Sequence, residues 1–118
     1  MSKKIPKDLI KKSIDLSKWG INERAWDKKR SLELLEILLR NNYEIGVSGG
    51  DVYCLENDEL KTLYENWFCD PRSNETIKEY NLRSLLEAKR YIENYNIKKN
   101  NIIFSFVFSD YLLFEDEK

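Results

Sequence analysis

The segment IIFSFVFSD, residues 102–110, places the strongest constraint on the fold of this chain. As a β-strand it would be apolar on both faces, with Phe104, Phe106 and Phe108 on one side and Ile103, Ser105 and Val107 on the other. Such a strand is interior to its sheet or covered on both sides. The sequence therefore predicts a sheet with this strand at its centre, and YLLFEDEK after it as an edge strand or docked tail.

Two helices are expected before any strand. Pro6 suits a first helical turn, and a short helix is predicted through LIKKSIDLSKW, which ends before Gly20 and Asn22. A second helix is predicted from Glu23 to Asn42. Its apolar stripe comprises Trp26, Leu34, Leu35, Ile37, Leu38 and Leu39.

From Tyr43 the apolar spacing changes towards a period of two, which is typical of strands. VYCL and LKTLYENWF are separated by polar residues, which indicates a β-hairpin. If Asn57 and Asp58 form the turn, the strands pair Leu55 with Leu60 and Val52 with Leu63. A four-residue turn is an equally compatible alternative.

A third, long helix is predicted after the loop DPRSN. Ser73 or Asn74 would cap it, with Glu75 in its first turn near the positive end of the helix dipole. NIKKNN would end it. The predicted fold class is therefore α+β, with a small, mainly antiparallel sheet formed by the hairpin and the C-terminal strand and packed with three helices.

Charge is unevenly distributed along the 118 residues, although the net charge is only −1. Residues 1–30 hold 10 Lys/Arg against 4 Asp/Glu, and residues 31–70 hold 2 against 9. An acidic centre would repel nucleic acid and attract a basic partner; the alternative is a solvated face without a partner. With no signal-peptide pattern and no long apolar run, we expect a cytoplasmic protein of one domain.

The chain contains no histidine, which restricts its possible chemistry. Histidine is the usual general base near neutral pH and the commonest transition-metal ligand, so Ser-His, Cys-His and HExxH sites are excluded. A carboxylate mechanism or a Mg²⁺ site stays open. Cys54 and Cys69 are expected to be free thiols, because a reducing compartment disfavours a disulfide.

The glycine-rich stretch GVSGGD matches neither the P-loop nor the dinucleotide-binding pattern and leads into a strand, so no phosphate site is predicted. Asp51 could serve as a general base or metal ligand with Glu56 or Glu65, but nothing in the spacing pairs them. We favour a structural interpretation in which Gly49 and Gly50 allow a positive φ or a bulge, and Asp51 bonds nearby backbone groups.

Taken in order, GGDVYCL, a polar turn, ENWFC, a long helix with S-x3-A-x2-YI-x2-Y and an aromatic-rich strand resemble the immunity protein 40 family of bacterial polymorphic toxin systems. The similarity covers about residues 32–108. The matching positions are Gly49, Gly50, Asp51, Val52, Tyr53, Asn66, Trp67, Ser84, Ala88, Tyr91, Ile92 and Tyr95.

The resemblance implies one immunity-type domain over residues 1–118 that binds and neutralises a cognate toxin domain and catalyses no reaction. The toxin would be basic, such as a nuclease, and no cofactor, membrane or direct nucleic-acid contact is expected. We place the toxin-binding surface on the hairpin: Asp51, Glu56, Asp58, Glu59, Tyr64, Glu65 and Trp67. A core position beneath the third helix is the alternative for Trp67.

Two other classes of function stay open from the sequence alone. One is a small metal-dependent hydrolase that uses Asp51 and a second carboxylate. The other is a nucleic-acid-binding regulator that uses the basic N-terminal region.

Overall fold

One antiparallel sheet and the helices packed against it form the part of the chain that the structure, a computed structural model, describes: residues 5–97 and 100–109. The elements, in chain order, are α1 (Lys7–Lys11), β1 (Ile14–Asp15), a 3-10 helix (Leu16–Trp19), β2 (Arg24–Trp26), α2 (Lys28–Arg40), β3 (Val47–Glu56), β4 (Glu59–Phe68), α3 (Ile77–Asn94), β5 (Ile102–Ser105) and β6 (Val107–Phe108). The strand order is β1-β2-β5-β3-β4, and β6 also pairs with β3. The predicted α+β class is confirmed.

The predicted central strand lies in the middle of the sheet. β5 pairs with β2 on one side and with β3 on the other. Ile102 and Phe104 join the large core cluster beneath the helices, whereas Ile103 joins a smaller cluster that also contains Leu16, Ala25 and Tyr53. Both faces of β5 are therefore covered, which explains its two-sided apolar sequence.

The C-terminal strand is interrupted, contrary to the prediction of one continuous element. Phe106 separates β5 from β6, and beside this break the Asp51 amide donates to the Ser105 hydroxyl oxygen at 3.3 Å. Phe106 is nevertheless buried and stacks on Phe108 with ring centroids 5.7 Å apart. The expectation for YLLFEDEK concerns residues 111–118, which lie outside the described residues.

The β3–β4 hairpin has the predicted turn. Asn57 and Asp58 both have positive φ, 51° and 65°, as a type I′ turn requires, and Leu55 pairs with Leu60. The predicted pairing of Val52 with Leu63 is wrong. The register shifts between Asp51↔Asn66 and Tyr53↔Thr62, so β4 carries two extra residues and bulges outward.

The N-terminal helix is much shorter than predicted. α1 ends at Lys11, and Ile14–Asp15 then pairs with β2 as strand β1. The Asp15 carboxylate accepts the Ser17 amide at 3.0 Å and caps the 3-10 helix. Apolar residues whose spacing is compatible with one helix thus lie in three short elements: α1, β1 and the 3-10 helix.

The second helix starts five residues later than predicted, at Lys28 instead of Glu23. Asp27 caps it by accepting the Arg30 amide at 2.8 Å. Trp26 belongs to β2 instead and is fully buried, with its indole N–H donating to the Leu9 carbonyl at 2.8 Å. The predicted end at Asn41 and Asn42 agrees with the C-cap at Asn41.

The cap predicted for the third helix is also wrong. Thr76 caps α3, and Glu79 completes a capping box by accepting the Thr76 amide. Ser73 and Asn74 lie outside the helix, and Glu75 forms an ion pair with Arg83 instead of complementing the helix dipole. α3 ends at Asn94, two residues before the NIKKNN segment that was predicted to end it.

Gly49 and Gly50 do not have the positive φ that was one of the two expectations. The other expectation, a bulge, is met, since the β3–β6 register shifts between Val47 and Gly49. Gly50 is required for close packing: an added Cβ would lie 2.1 Å from the Ser105 carbonyl oxygen and 2.4 Å from Cη2 of Trp67. Within the described residues, no helix is both long enough and apolar enough to cross a membrane.

Candidate partner-binding surface

The predicted binding residues at the hairpin tip lie close together but are partly neutralised. Glu56 is paired with Glu59 across the two strands, and Asp58 occupies the turn. The Lys61 ammonium lies 3.5 Å from the Glu56 carboxylate, and the Lys18 ammonium lies 2.7 Å from that of Asp58. These pairs reduce the negative potential that the tip presents.

Lys18 also bears on the nucleic-acid alternative. That hypothesis needs free cations in the N-terminal thirty residues, yet Lys18 is paired with Asp58 and Lys12 lies 3.1 Å from Asp8. These contacts leave less positive charge available at these two positions than the sequence suggested.

Tyr64 lies at the β4 bulge and is the most exposed large hydrophobic residue of the described chain. Its side chain is 88% exposed and its φ is +58°, a conformation that a tyrosine rarely adopts. Its amide donates to the Thr62 hydroxyl oxygen at 3.1 Å, which helps to hold the bulge. Strained backbone is concentrated at functional sites, and aromatic residues such as tyrosine are enriched at protein interfaces.

Trp67 is buried, with only 8% of its surface exposed, as the alternative prediction for this residue proposed. Its indole ring stacks on Tyr91 of α3, with centroids 4.9 Å apart and planes inclined by 29°. It also meets Phe106 edge-on at 5.8 Å. Trp67 therefore anchors β4 to α3 and can contact a partner only within the groove between these two elements.

That groove lies between β4 and α3 and has a volume of about 760 Å³. Trp67, Tyr91 and Tyr95 form its aromatic wall. Leu63 and Ile102 add apolar surface, and Glu65, Glu87, Arg90, Asn94 and Asn96 supply its polar groups. Its size is in the range of ordinary ligand sites, and we call it the β4–α3 groove.

Glu65 and Tyr95 join the two sides of the β4–α3 groove. The Tyr95 hydroxyl donates to the Glu65 carboxylate across it. Burial, and then this hydrogen bond, raise the pKa of the Tyr95 phenol, so the hydroxyl keeps its proton at neutral pH. The Glu65 carboxylate thus has a fixed position beside the aromatic wall.

Asp51 is separated from the other predicted residues because it lies on the opposite face of the sheet. Alternation along β3 places it on the same side as Tyr53, and it pairs directly with Asn66. Glu23 lies nearby: burial raises the pKa of its carboxyl, and the Asp51 charge adds to this effect. The predicted surface is therefore divided between two faces and the hairpin tip.

The remaining motif residues of α3, Ser84, Ala88 and Ile92, hold the fold together. Ala88 and Ile92 are fully buried in the core between α3 and the sheet. The Ser84 hydroxyl oxygen accepts the Val47 amide at 2.9 Å and ties α3 to the start of β3. The motif helix is thereby fixed against β3 at one end and, through Tyr91, against β4 at the other.

Sequence reasoning missed two charged residues of the β4–α3 groove, Glu87 and Arg90. They form an ion pair at 3.1 Å on α3. Their (i, i+3) spacing marks them as neighbours on one helix face, but only the tertiary packing shows that this face borders Trp67. Among the described residues, no group of three or more Cys, Asp or Glu side chains is placed to hold a metal ion.

Cys54 and Cys69 are both free thiols, as predicted, and both are buried. Burial raises the pKa of the Cys69 thiol, although the Arg83 guanidinium opposes that shift from 3.0 Å. A raised pKa disfavours the nucleophilic thiolate. Cys69 therefore has the character of a packing residue.

Comparison with known proteins identifies one family. The family model described as Immunity protein 40 matches residues 15–108, most of the chain and nearly every element of the fold. Comparisons with curated proteins and with solved structures gave no match.

Proposed function

The chain belongs to the immunity protein 40 family, and from this premise we propose that it neutralises a cognate toxin domain of a bacterial polymorphic toxin system by binding it in the cytoplasm. The family match over residues 15–108 is the observation that carries the proposal. In this account the protein has no reaction of its own. Protection follows from occupying a surface that the toxin needs.

The surface we assign to this binding is the exposed side of β4. β4 is the last strand in the order β1-β2-β5-β3-β4, so one of its edges is not covered by another described strand. Glu59, Tyr64 and Glu65 are all exposed along it. This side offers an aromatic anchor and carboxylates within one strand, a combination that suits a protein interface.

The charge of this surface indicates the charge of the partner. On β4 and the adjoining hairpin tip the chain carries four carboxylates, and the two cations beside them are Lys61 and Lys18, which pair with Glu56 and Asp58; the carboxylates are those of Glu56, Asp58, Glu59 and Glu65. A basic toxin would be steered towards it, and a nuclease is basic where it binds phosphate. We therefore propose a basic toxin domain, with a nuclease as the leading class.

Co-expression with the toxin domain encoded beside the immunity gene tests this function. Cells that produce both proteins should survive, and cells with the toxin alone should die. Tyr64→Ala should weaken protection, because it removes the exposed anchor without disturbing the core. Ile77→Ala is the matched control, since Ile77 is an equally exposed apolar residue, 81%, at the start of α3.

The proposal would be withdrawn if wild-type protein failed to protect cells that contained it in soluble form. Equal protection by Tyr64→Ala and wild type would leave the function in place and remove Tyr64 from the interface.

A further inference from the structure

We propose that the β4–α3 groove receives an arginine side chain of the toxin. This inference rests on the proposed function and makes it more specific: it names the site on the immunity protein and the group that enters it. Two independent features of the groove support it.

The first feature is charge. Glu65 and Glu87 border the groove, and Arg90 is the cation among those of its lining residues that the structure describes. Arg90 already lies 3.1 Å from Glu87, on a side chain that is 66% exposed. An entering guanidinium can replace Arg90 at Glu87 and reach Glu65, whereas an entering carboxylate would meet net negative charge.

The second feature is the aromatic wall. The rings of Trp67 and Tyr91 are stacked with centroids 4.9 Å apart, and the centroid of the Tyr95 ring lies 6.1 Å from that of Tyr91. A guanidinium is planar and weakly hydrated, so it can lie against such rings while its N–H groups reach carboxylates. A lysine ammonium is strongly hydrated and lacks the planar fork, which favours arginine.

Calorimetry with the toxin domain encoded beside the immunity gene tests this site. Glu65→Gln and Glu87→Gln each remove one charge with little change of shape, and the amide oxygen that Glu65→Gln introduces can still accept the Tyr95 hydroxyl. Each should weaken binding about tenfold or more, because an ion pair that is desolvated on binding is lost. Glu33→Gln is the matched control: Glu33 is 47% exposed on α2, and Glu87 is 42% exposed.

An arginine-to-lysine scan of the toxin then identifies the entering group. One substitution should weaken binding to wild-type protein by about tenfold and have little further effect in the Glu65→Gln background, as expected for two groups in contact. The groove assignment alone would be overturned if Glu65→Gln and Glu87→Gln bound the toxin with wild-type affinity. It would also be overturned if no toxin arginine were energetically coupled to Glu65. Failure of wild-type protein to bind the toxin would overturn the proposed function, and the groove assignment with it.

Discussion

The indole ring of Trp67 stacks on the phenol ring of Tyr91, with centroids 4.9 Å apart, and this contact joins the edge strand β4 to helix α3. Phe68, the next residue along β4, is 74% exposed. Two adjacent aromatic residues thus have opposite environments, because successive side chains of a strand point to opposite faces.

This contrast gives a prediction for stability. Trp67→Ala should lower the free energy of unfolding by about 3–5 kcal/mol, since it removes a buried aromatic side chain and leaves a cavity. Phe68→Ala is the internal control and should change it by less than about 0.5 kcal/mol. Urea unfolding measures both, and similar losses in the two variants would contradict the assigned orientation of β4.

Gly50 should not tolerate even alanine. A Cβ there would lie 2.1 Å from the Ser105 carbonyl oxygen, a backbone atom of the central strand that cannot move without disturbing the sheet. We expect Gly50→Ala to cost about 1–3 kcal/mol, as overpacking of a core does. At Gly20 the space is open and only the positive φ of 82° is unfavourable, so Gly20→Ala should cost about 1 kcal/mol. Thermal or urea unfolding of the two variants checks both values, and a Gly50→Ala protein as stable as wild type would contradict the close packing.

The left-handed backbone of Tyr64 predicts an inverted preference between glycine and alanine. In an ordinary strand alanine is more stabilising than glycine, but at φ +58° the Cβ is unfavourable. Tyr64→Gly should therefore be more stable than Tyr64→Ala by about 1 kcal/mol in urea unfolding. The same pair of substitutions at Thr62, which lies just before the bulge, should show the usual order, and the usual order at residue 64 would argue against the bulge.

The loop before α3 should be sensitive to acid. The Arg83 guanidinium holds the Glu75 carboxylate with contacts of 2.6 and 2.8 Å and lowers its pKa from 4.5 to about 2. Because the pKa is lowered by folding, this stabilisation is present above pH 4.5 and is lost as pH falls towards about 2.

Glu75→Gln mimics the protonated acid and provides the comparison. Wild type should be the more stable protein at neutral pH, and its advantage should shrink between pH 4.5 and about 2. In Arg83→Met, carboxyl NMR should show the pKa of Glu75 closer to 4.5. A constant difference between wild type and Glu75→Gln across this range would contradict the ion pair.

The parts of the fold that were predictable have strong local signals. The two-sided apolar pattern identified the central strand, and the polar residues between the two apolar runs identified the hairpin. Of its two compatible turns, the structure has the one at Asn57 and Asp58, with Leu55 opposite Leu60. In the strand, the alternation of apolar side chains shows that both faces are buried. In the turn, Asn57 and Asp58 tolerate the positive φ that a tight hairpin requires. Long elements and tight turns carry such signals within a few neighbouring residues.

The missed parts depend on partners distant in sequence. Arg24–Trp26 is too short to show a period, and it becomes a strand only because Ala25 and Trp26 pair with Ser105 and Phe104. The bulge at Tyr64 has no glycine to mark it, so the register beyond Thr62 could not be predicted. The predicted binding residues lie apart in the structure for the same reason. Asp51 faces away from Glu65, and Glu87 reaches the groove only through the packing of α3 on β4.

The most direct test is a titration of toxin activity with purified wild-type protein, using the toxin domain encoded beside the immunity gene. The account predicts that activity falls in proportion to added protein and is abolished at one equivalent, with a 1:1 complex on gel filtration. A toxin that stays fully active in the presence of excess folded protein, with no complex formed, would contradict it.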